Sequence, residues 1–450
     1  MSRTARGLCG RGLTRGLPPP SVAGSFHMPN VIKLSQLSGG IRVATCEMPH
    51  AETASMAIWA SVGGRHEPAA LNGISHFIEH MLFKGTAKRS ARRIMQEIEG
   101  VGGDMNAYTA EERTCYYATA AAEFFPRVCD VLCDIYLEPR FAKQDIERER
   151  GVIGEEILMY RDEPSALVQE NLNATFWPRH ALGRPLTGTL ETIESMGREE
   201  FLAYRATHYQ AASTVVSAAG RIRHEEVVAR IERSLGSLGR GRKPTTRPAP
   251  AVPATPRLQI EARDVQQTQV AMALPAISHF DERRYAFHLM NVILGGNASS
   301  RLFQELREKR GVCYSVSSHP LTLADSGVLN VSIGLDRRNL ERSLSIILGQ
   351  FANLCDKPVG EAELRRAKEY AVGSSRMALE RASSQNMRIG SSVLIYGKIV
   401  EPSVVHEKLR AVTAEEVRDI AKAVLDPSRI TMALVGPDPD TKMIRRMIGL

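Results

Sequence analysis

The chain has no uninterrupted run of about 18 apolar residues, so nothing in it reads as a membrane-spanning helix. It has no Cys-x-x-Cys pair, and its 7 cysteines are an odd number. Both points argue against a disulfide framework and for a reducing compartment. Cys129 and Cys133 share a helix face and read as core residues rather than ligands. An aromatic-studded basic stripe is also missing. The net charge of +8 is therefore no sign of nucleic-acid binding, because its Arg residues are spread or gathered in a tail and a linker. No acid occurs before Glu47, while Arg3, Arg6, Arg11 and Arg15 precede the helix-breaking Pro18-Pro19-Pro20. Without an apolar stretch this leader is not a secretory signal. Residues 1–29 read as a disordered tail or as an organelle transit segment. The expected location is the cytoplasm, or the mitochondrial matrix if the leader is a transit peptide.

What is present is an ordinary globular chain. Its 450 residues, 43% apolar and 24% charged, allow two to four domains. Residues 41–46 and 56–62 alternate like strands. Ser90 opens a helix carrying Ile94 and Ile98 that stops at Gly100. Residues 102–109 and 114–119 read as strands joined by a charged turn, and residues 122–138 as a helix. Grouped strands with helices between them suggest an α+β architecture, with helices on one face of each sheet. Residues 236–256, rich in Pro, Gly and Arg, read as an extended linker between domains at 30–235 and 257–450.

The stretch with chemistry in it is Asn72-Gly-Ile-Ser-His76-Phe-Ile-Glu79-His80-Met-Leu-Phe-Lys84-Gly85. Asn72 reads as its N-cap and Gly85 as its stop. His76 and His80, four apart, lie on one helix face with Glu79 beside them. Two neutral imidazoles so placed can grip a zinc ion next to a carboxylate. His-x-x-Glu-His is an inverted zincin signature. The same pattern also fits two surface histidines near an acid, so a third ligand has to decide. Residues 145–160 read as a helix, with Glu149 and Glu156 two turns apart on a stripe shared with Val152 and Ile153. Two acids on such a stripe call for a positive partner. An exposed, charge-laced helix satisfies the pattern equally.

His76-Phe-Ile-Glu79-His80-Met-Leu-Phe-Lys-Gly-Thr86, followed by Glu149 and Glu156, resembles the pitrilysin family of inverzincin peptidases. The likeness is strongest to the branch of the mitochondrial processing peptidase β subunit and its bacterial relatives. It runs from about Leu34 to about Pro437. The resemblance implies one Zn²⁺ per chain on His76, His80 and Glu156, with Glu79 as general base and Glu149 supporting the site. It implies that Asn106 and Ala107 lie on an edge strand taking an extended peptide. It also implies that Arg307 and Tyr314, seven apart, hold the substrate backbone. Without the resemblance these two read as a helix-end Arg and a strand Tyr. Leu294-Gly295-Gly296-Asn297 reads as a flexible turn similar to the family's glycine-containing loop. Asp162, Glu163 and Glu170 are acids that would favour basic peptides. The implied activity is zinc endopeptidase, on unstructured peptides or precursor segments. The implied assembly is a homodimer, or a heterodimer with a related chain lacking zinc, with Arg307 and Tyr314 reaching the partner's zinc. The alternative is a non-catalytic or partner-dependent structural subunit.

The halves also echo each other. Glu199-Glu200-Phe201 through Val215-Val216 to Gly220 recurs 216 residues on, as Glu415-Glu416-Val417 through Thr431-Met432 to Gly436. Met95-Gln96-Glu97-Ile98 likewise matches Phe303-Gln304-Glu305-Leu306. A duplicated unit follows, and its expected form is two homologous α/β sandwich-like domains with mixed, mostly antiparallel sheets. An offset of 212 puts His288, Asn291 and Val292 opposite His76, Glu79 and His80. An offset of 218 puts Ala367 and Ser374 opposite Glu149 and Glu156. The second copy thus lacks the zinc set, and His288 reads as a core histidine.

Overall fold

The computed structural model describes residues 30–437 and 440–450; the Arg-rich leader lies outside them. Two sheets organise the chain. The first has six strands: β1 (Val31–Gln36), β2 (Arg42–Glu47), β3 (Thr53–Ala60), β4 (Asp104–Thr109), β5 (Thr114–Ala121) and β6 (Thr214–Gly220). Their order is β1-β2-β6-β3-β5-β4. The second has five: β7 (Arg257–Ala262), β8 (Thr268–Ala276), β9 (Cys313–Thr322), β10 (Gly327–Leu335) and β11 (Thr431–Gly436). Their order is β7-β11-β8-β10-β9. With β1 set aside, the two sheets superpose strand for strand in topology. The one parallel contact, β2 with β6 and β7 with β11, recurs in both. The repeat seen in the sequence is therefore a repeat of the fold. Helix Arg198–His208 leads to β6 as helix Ala414–Val424 leads to β11.

Each sheet has two apolar faces. One face of the first is packed by its own helices, with Phe77, Ile94, Val128, Cys129 and Cys133 in the core. The other face is covered by a helix from the second half, Ala382–Tyr396. Its Ile389, Val393 and Leu394 pack on Ala44, Ala57, Trp59 and Ala219. The exchange is mutual. Helix Pro164–Phe176, from the first half, lays Leu167, Val168 and Leu172 on Ala271, Ala273 and Ala433 of the second sheet. Small residues on the sheets let these helices come close. At Gly390 a Cβ would lie 2.2 Å from Trp59 Nε1 and 2.4 Å from Ser217 Oγ, so only glycine fits. Buried polar contacts set the register, with the Asn386 amide bonding the Ser55 and Ser217 hydroxyls.

The halves also meet through charge. The Arg65 side chain is fully buried and reaches Glu112 at 2.6 Å and Asp325, in the β9–β10 turn, at 2.7 Å. Between helix His224–Leu235 and β7, residues 236–256 carry no helix or strand.

Candidate metal centre

The His76–His80 helix spans Ile74–Leu82. Phe77, Ile78, Met81 and Leu82 are buried in the first core, which fixes the opposite face toward a cleft. The N-cap is Gly73, not Asn72. A neighbouring acid takes the capping role. The buried Glu67 carboxylate accepts from the Gly73 N–H at 2.8 Å, the Ser75 N–H at 2.9 Å and the Asn72 amide at 3.1 Å. An anion at a helix N-terminus is favoured by the unsatisfied N–H groups and the dipole. Burial raises the Glu67 pKa against these bonds. Gly73 has φ +94, and a Cβ there would lie 2.6 Å from the Thr187 carbonyl, so glycine is required. At the other end the helix stops at Leu82, before the expected Gly85.

The third candidate ligand comes from helix Lys143–Asp162. Glu156 Oε2 is 3.7 Å from His76 Nε2 and 3.7 Å from His80 Nε2. One ligand atom from each of His76, His80 and Glu156 lies within 4.8 Å of the others, and no other such group occurs among the described residues. Donors about 2.1 Å from a tetrahedral zinc lie about 3.4 Å apart, so this set needs only slight contraction to hold one. Two imidazole nitrogens and one carboxylate are a catalytic zinc donor set, with a fourth position left open. Burial, and then the adjacent His80, push the His76 pKa down to about 3, which keeps that ring neutral.

Glu149 stands behind His80. Its Oε1 accepts from His80 Nδ1 at 2.9 Å, which leaves His80 Nε2 turned to Glu156. Burial opposes the Glu149 charge, but hydrogen bonds from His80 and Lys84 outweigh it and lower the pKa. The positive partner that the two-acid stripe calls for is thus, for Glu149, Lys84 at 2.6 Å. Of the apolar residues on that stripe, Ile153 is buried and Val152 is 48% exposed, so Val152 is not part of a buried face.

Glu79 lies on the same helix, and its Oε2 accepts from the Thr109 hydroxyl at 2.5 Å. Burial raises its pKa. Together with His76 and Glu156 it lines a cleft of about 440 Å³. Helix Pro164–Phe176, which crosses to the second sheet, also lines it, with Gln169, Glu170 and Asn173. Of the three acids expected to select basic peptides, Glu170 lines the cleft. Glu163 instead caps the crossing helix, accepting from Ser165 N–H, and Asp162 does not line the cleft.

Asn106 and Ala107 lie on β4, the free edge of the first sheet, and Ala107 lines the cleft. The Ala107 N–H donates to the Asn106 side-chain oxygen at 2.8 Å. Arg307 and Tyr314 are brought to each other, with the guanidinium 5.4 Å from the ring centre, and Tyr314 is 75% exposed. Neither lines the cleft of its own chain. The Gly295–Gly296 turn is tied rather than loose. Both amides donate to the Asn291 carbonyl, and the Gly295 carbonyl accepts from Ser318.

Sequence reasoning passed over Glu67, Lys84, Thr109, Glu111 and Tyr160. Lys84 had a local signal, four residues past His80. Tyr160 had the same spacing from Glu156; burial and then that charge raise its phenol pKa. Glu67, Thr109 and Glu111 had none, since tertiary folding alone brings them here.

Residues 42–190 match the family described as Insulinase (Peptidase family M16), and residues 195–370 match the Peptidase M16 inactive domain. A protein of Streptomyces coelicolor named an uncharacterized zinc protease is 36% identical over 425 residues, 93% of this chain and 92% of its own. The chain belongs to peptidase family M16. Another relative, an uncharacterized zinc protease of Bacillus subtilis, is 32% identical and covers 90% of this M16 chain and 98% of its own. The fold agrees with solved M16 structures. A structure titled as the peptidase M16 inactive domain from Pseudomonas fluorescens matches with TM-score 0.84 at 19% identity, over 90% of this chain and 98% of that one. A protease from Helicobacter pylori matches with TM-score 0.83 at 18% identity, over 91% and 100%. The three candidate ligands, His76, His80 and Glu156, all lie within the first of the two M16 matches.

Proposed function

We propose that this M16 member is a zinc-dependent endopeptidase that hydrolyses extended peptide segments. The observation that carries the reading is the convergence of His76, His80 and Glu156 on one point beside Glu79. Zinc bound by these three would acidify a water and polarise the scissile carbonyl. Glu79 accepts a proton from the attacking water and returns it to the leaving amine. Its raised pKa suits a group that must both take and give a proton, and the Thr109 hydroxyl holds it in place. Glu149 keeps His80 in the ligating tautomer. The substrate adds to β4 as a further strand, taking over the Ala107 N–H from the Asn106 side chain.

Arg307 and Tyr314 belong to this proposal as substrate-holding residues supplied by a second copy. Their exposure, and their absence from their own chain's cleft, support that role. The test is metal analysis of the purified chain with mass-spectrometric mapping of cuts in an unstructured peptide library. Bound zinc without any cut would remove the reading that this chain acts without a different partner and favour the partner-dependent subunit. Mixing Glu79→Gln with Arg307→Ala chains should restore part of the activity, and no rescue despite proven subunit exchange would remove the sharing.

A further inference from the structure

The second half contains a larger cavity, of about 850 Å³. His288, Asn291, Val292 and Ser374 line it. These are the positions that the duplication sets opposite His76, Glu79, His80 and Glu156. The cavity is thus the second copy's counterpart of the metal cleft, and His288 is an exposed lining residue there, not a core histidine. Asn291, Val292 and Ser374 do not make a metal site. The space has nevertheless stayed open.

Its chemistry is the reverse of the first cleft. Glu79, Glu111, Glu156 and Glu170 line the first. No acid lines the second, which has two arginines, Arg284 and Arg388. Neither forms an ion pair among the described residues. Arg284 donates to the Asp281 carbonyl and the Tyr285 hydroxyl, both at 3.0 Å. Arg388 donates to Gln385 Oε1 at 3.1 Å and the Val400 carbonyl at 2.9 Å. Its Nη2 is buried with no partner. Glu401 acts on Arg388 only at a distance. Two guanidinium groups on one cavity, neither with a carboxylate partner among the described residues, call for an anion. The rest of the wall is largely apolar, including Phe287, Val292, Ile395, Val405 and Leu409. A small inorganic anion would leave that wall uncovered.

We propose that this cavity binds an organic carboxylate, with the anionic group held by Arg284 and Arg388 and an apolar or aromatic body against Phe287, Val292 and Leu409. The ligand is either the free C-terminus of a peptide ending in an apolar residue or a small free acid. The inference does not depend on the first cleft being catalytic.

The test is calorimetric titration of the full chain with N-acetylphenylalanine, its neutral amide and inorganic phosphate. The acid should bind saturably at one site per chain, with the amide and phosphate at least about ten-fold weaker, the size of one charge-assisted contact. Arg284→Gln should weaken the acid by a similar factor. Ser374→Glu, at an exposed position, should abolish binding by giving the arginines a carboxylate of their own. A free-acid peptide ending in Phe, titrated into the Glu79→Gln chain, identifies the source. Binding tighter than N-acetylphenylalanine points to a peptide terminus, and parity to a small acid. Equal affinity for acid and amide, phosphate binding as tightly as the acid, no saturable binding, or binding unchanged in folded Arg284→Gln would each overturn the proposal.

Discussion

Glu149 Oε1 lies 2.9 Å from His80 Nδ1, on the side of the ring away from Glu156. The bond orients the imidazole, and Lys84 keeps the carboxylate charged. Glu149→Gln should therefore weaken zinc by about 10–100-fold without unfolding the chain. Competition with a chelator of known affinity measures this. Unchanged affinity would make Glu149 a purely structural acid.

Glu79→Gln should keep its zinc and lose about 10²–10⁴-fold in turnover, the contribution of a positioned general base. Thr109→Val removes the hydroxyl that Glu79 accepts from. It should give a smaller loss, again at full zinc occupancy. Steady-state rates on one unstructured peptide, beside metal content, separate the two effects.

The Arg65–Asp325 contact should make stability sensitive to acid. The hydrogen bond from Arg65 holds the Asp325 pKa down at about 2, against an ordinary 3.8. A depressed carboxylate pKa stabilises the fold above the unfolded value and loses that contribution as pH falls through the folded one. The denaturation gap between the parent chain and Asp325→Asn should stay constant from neutral pH down to about 5. It should then close between about pH 4 and pH 2. A gap that widens on acidification would contradict the assignment.

At the start of the metal helix, Gly73→Ala forces a side chain into left-handed backbone and toward the Thr187 carbonyl. A cost of about 1–3 kcal/mol from strain alone is expected, with the clash adding to it. Glu67→Gln leaves one of the bound N–H groups poorly matched and should cost about 1–3 kcal/mol. Thermal melts test both, and zinc affinity should fall with them because the helix carries two of the proposed ligands.

The legible parts of this protein were those written in short-range spacing. His76, Glu79 and His80 are set by one helical turn, and Glu149 and Glu156 by two. The duplication showed because both copies keep a helix, a turn and an apolar strand in the same order. Contacts made by folding alone were hidden. Glu67 replaces Asn72 as the cap because a carboxylate six residues upstream of Gly73 loops back onto the N–H groups, and no local pattern marks that. Lys84 carries no signal of its role beyond its spacing from His80, because a lysine at a helix end ordinarily means solvent. His288 reads as core from sequence because an imidazole among apolar neighbours gives no sign of the cavity beside it. The crossing helices were also invisible, since their apolar faces do not say which sheet they cover.

That exchange has a consequence for how the molecule can be taken apart. Proteolysis within residues 236–256 would nick the chain without releasing either piece, because each fragment would still hold a helix seated on the other's sheet. Expressed alone, either fragment would present a bare alanine-lined sheet and an orphan helix, and should aggregate or pair with itself. Two copies of one fragment trading that helix would rebuild the same architecture.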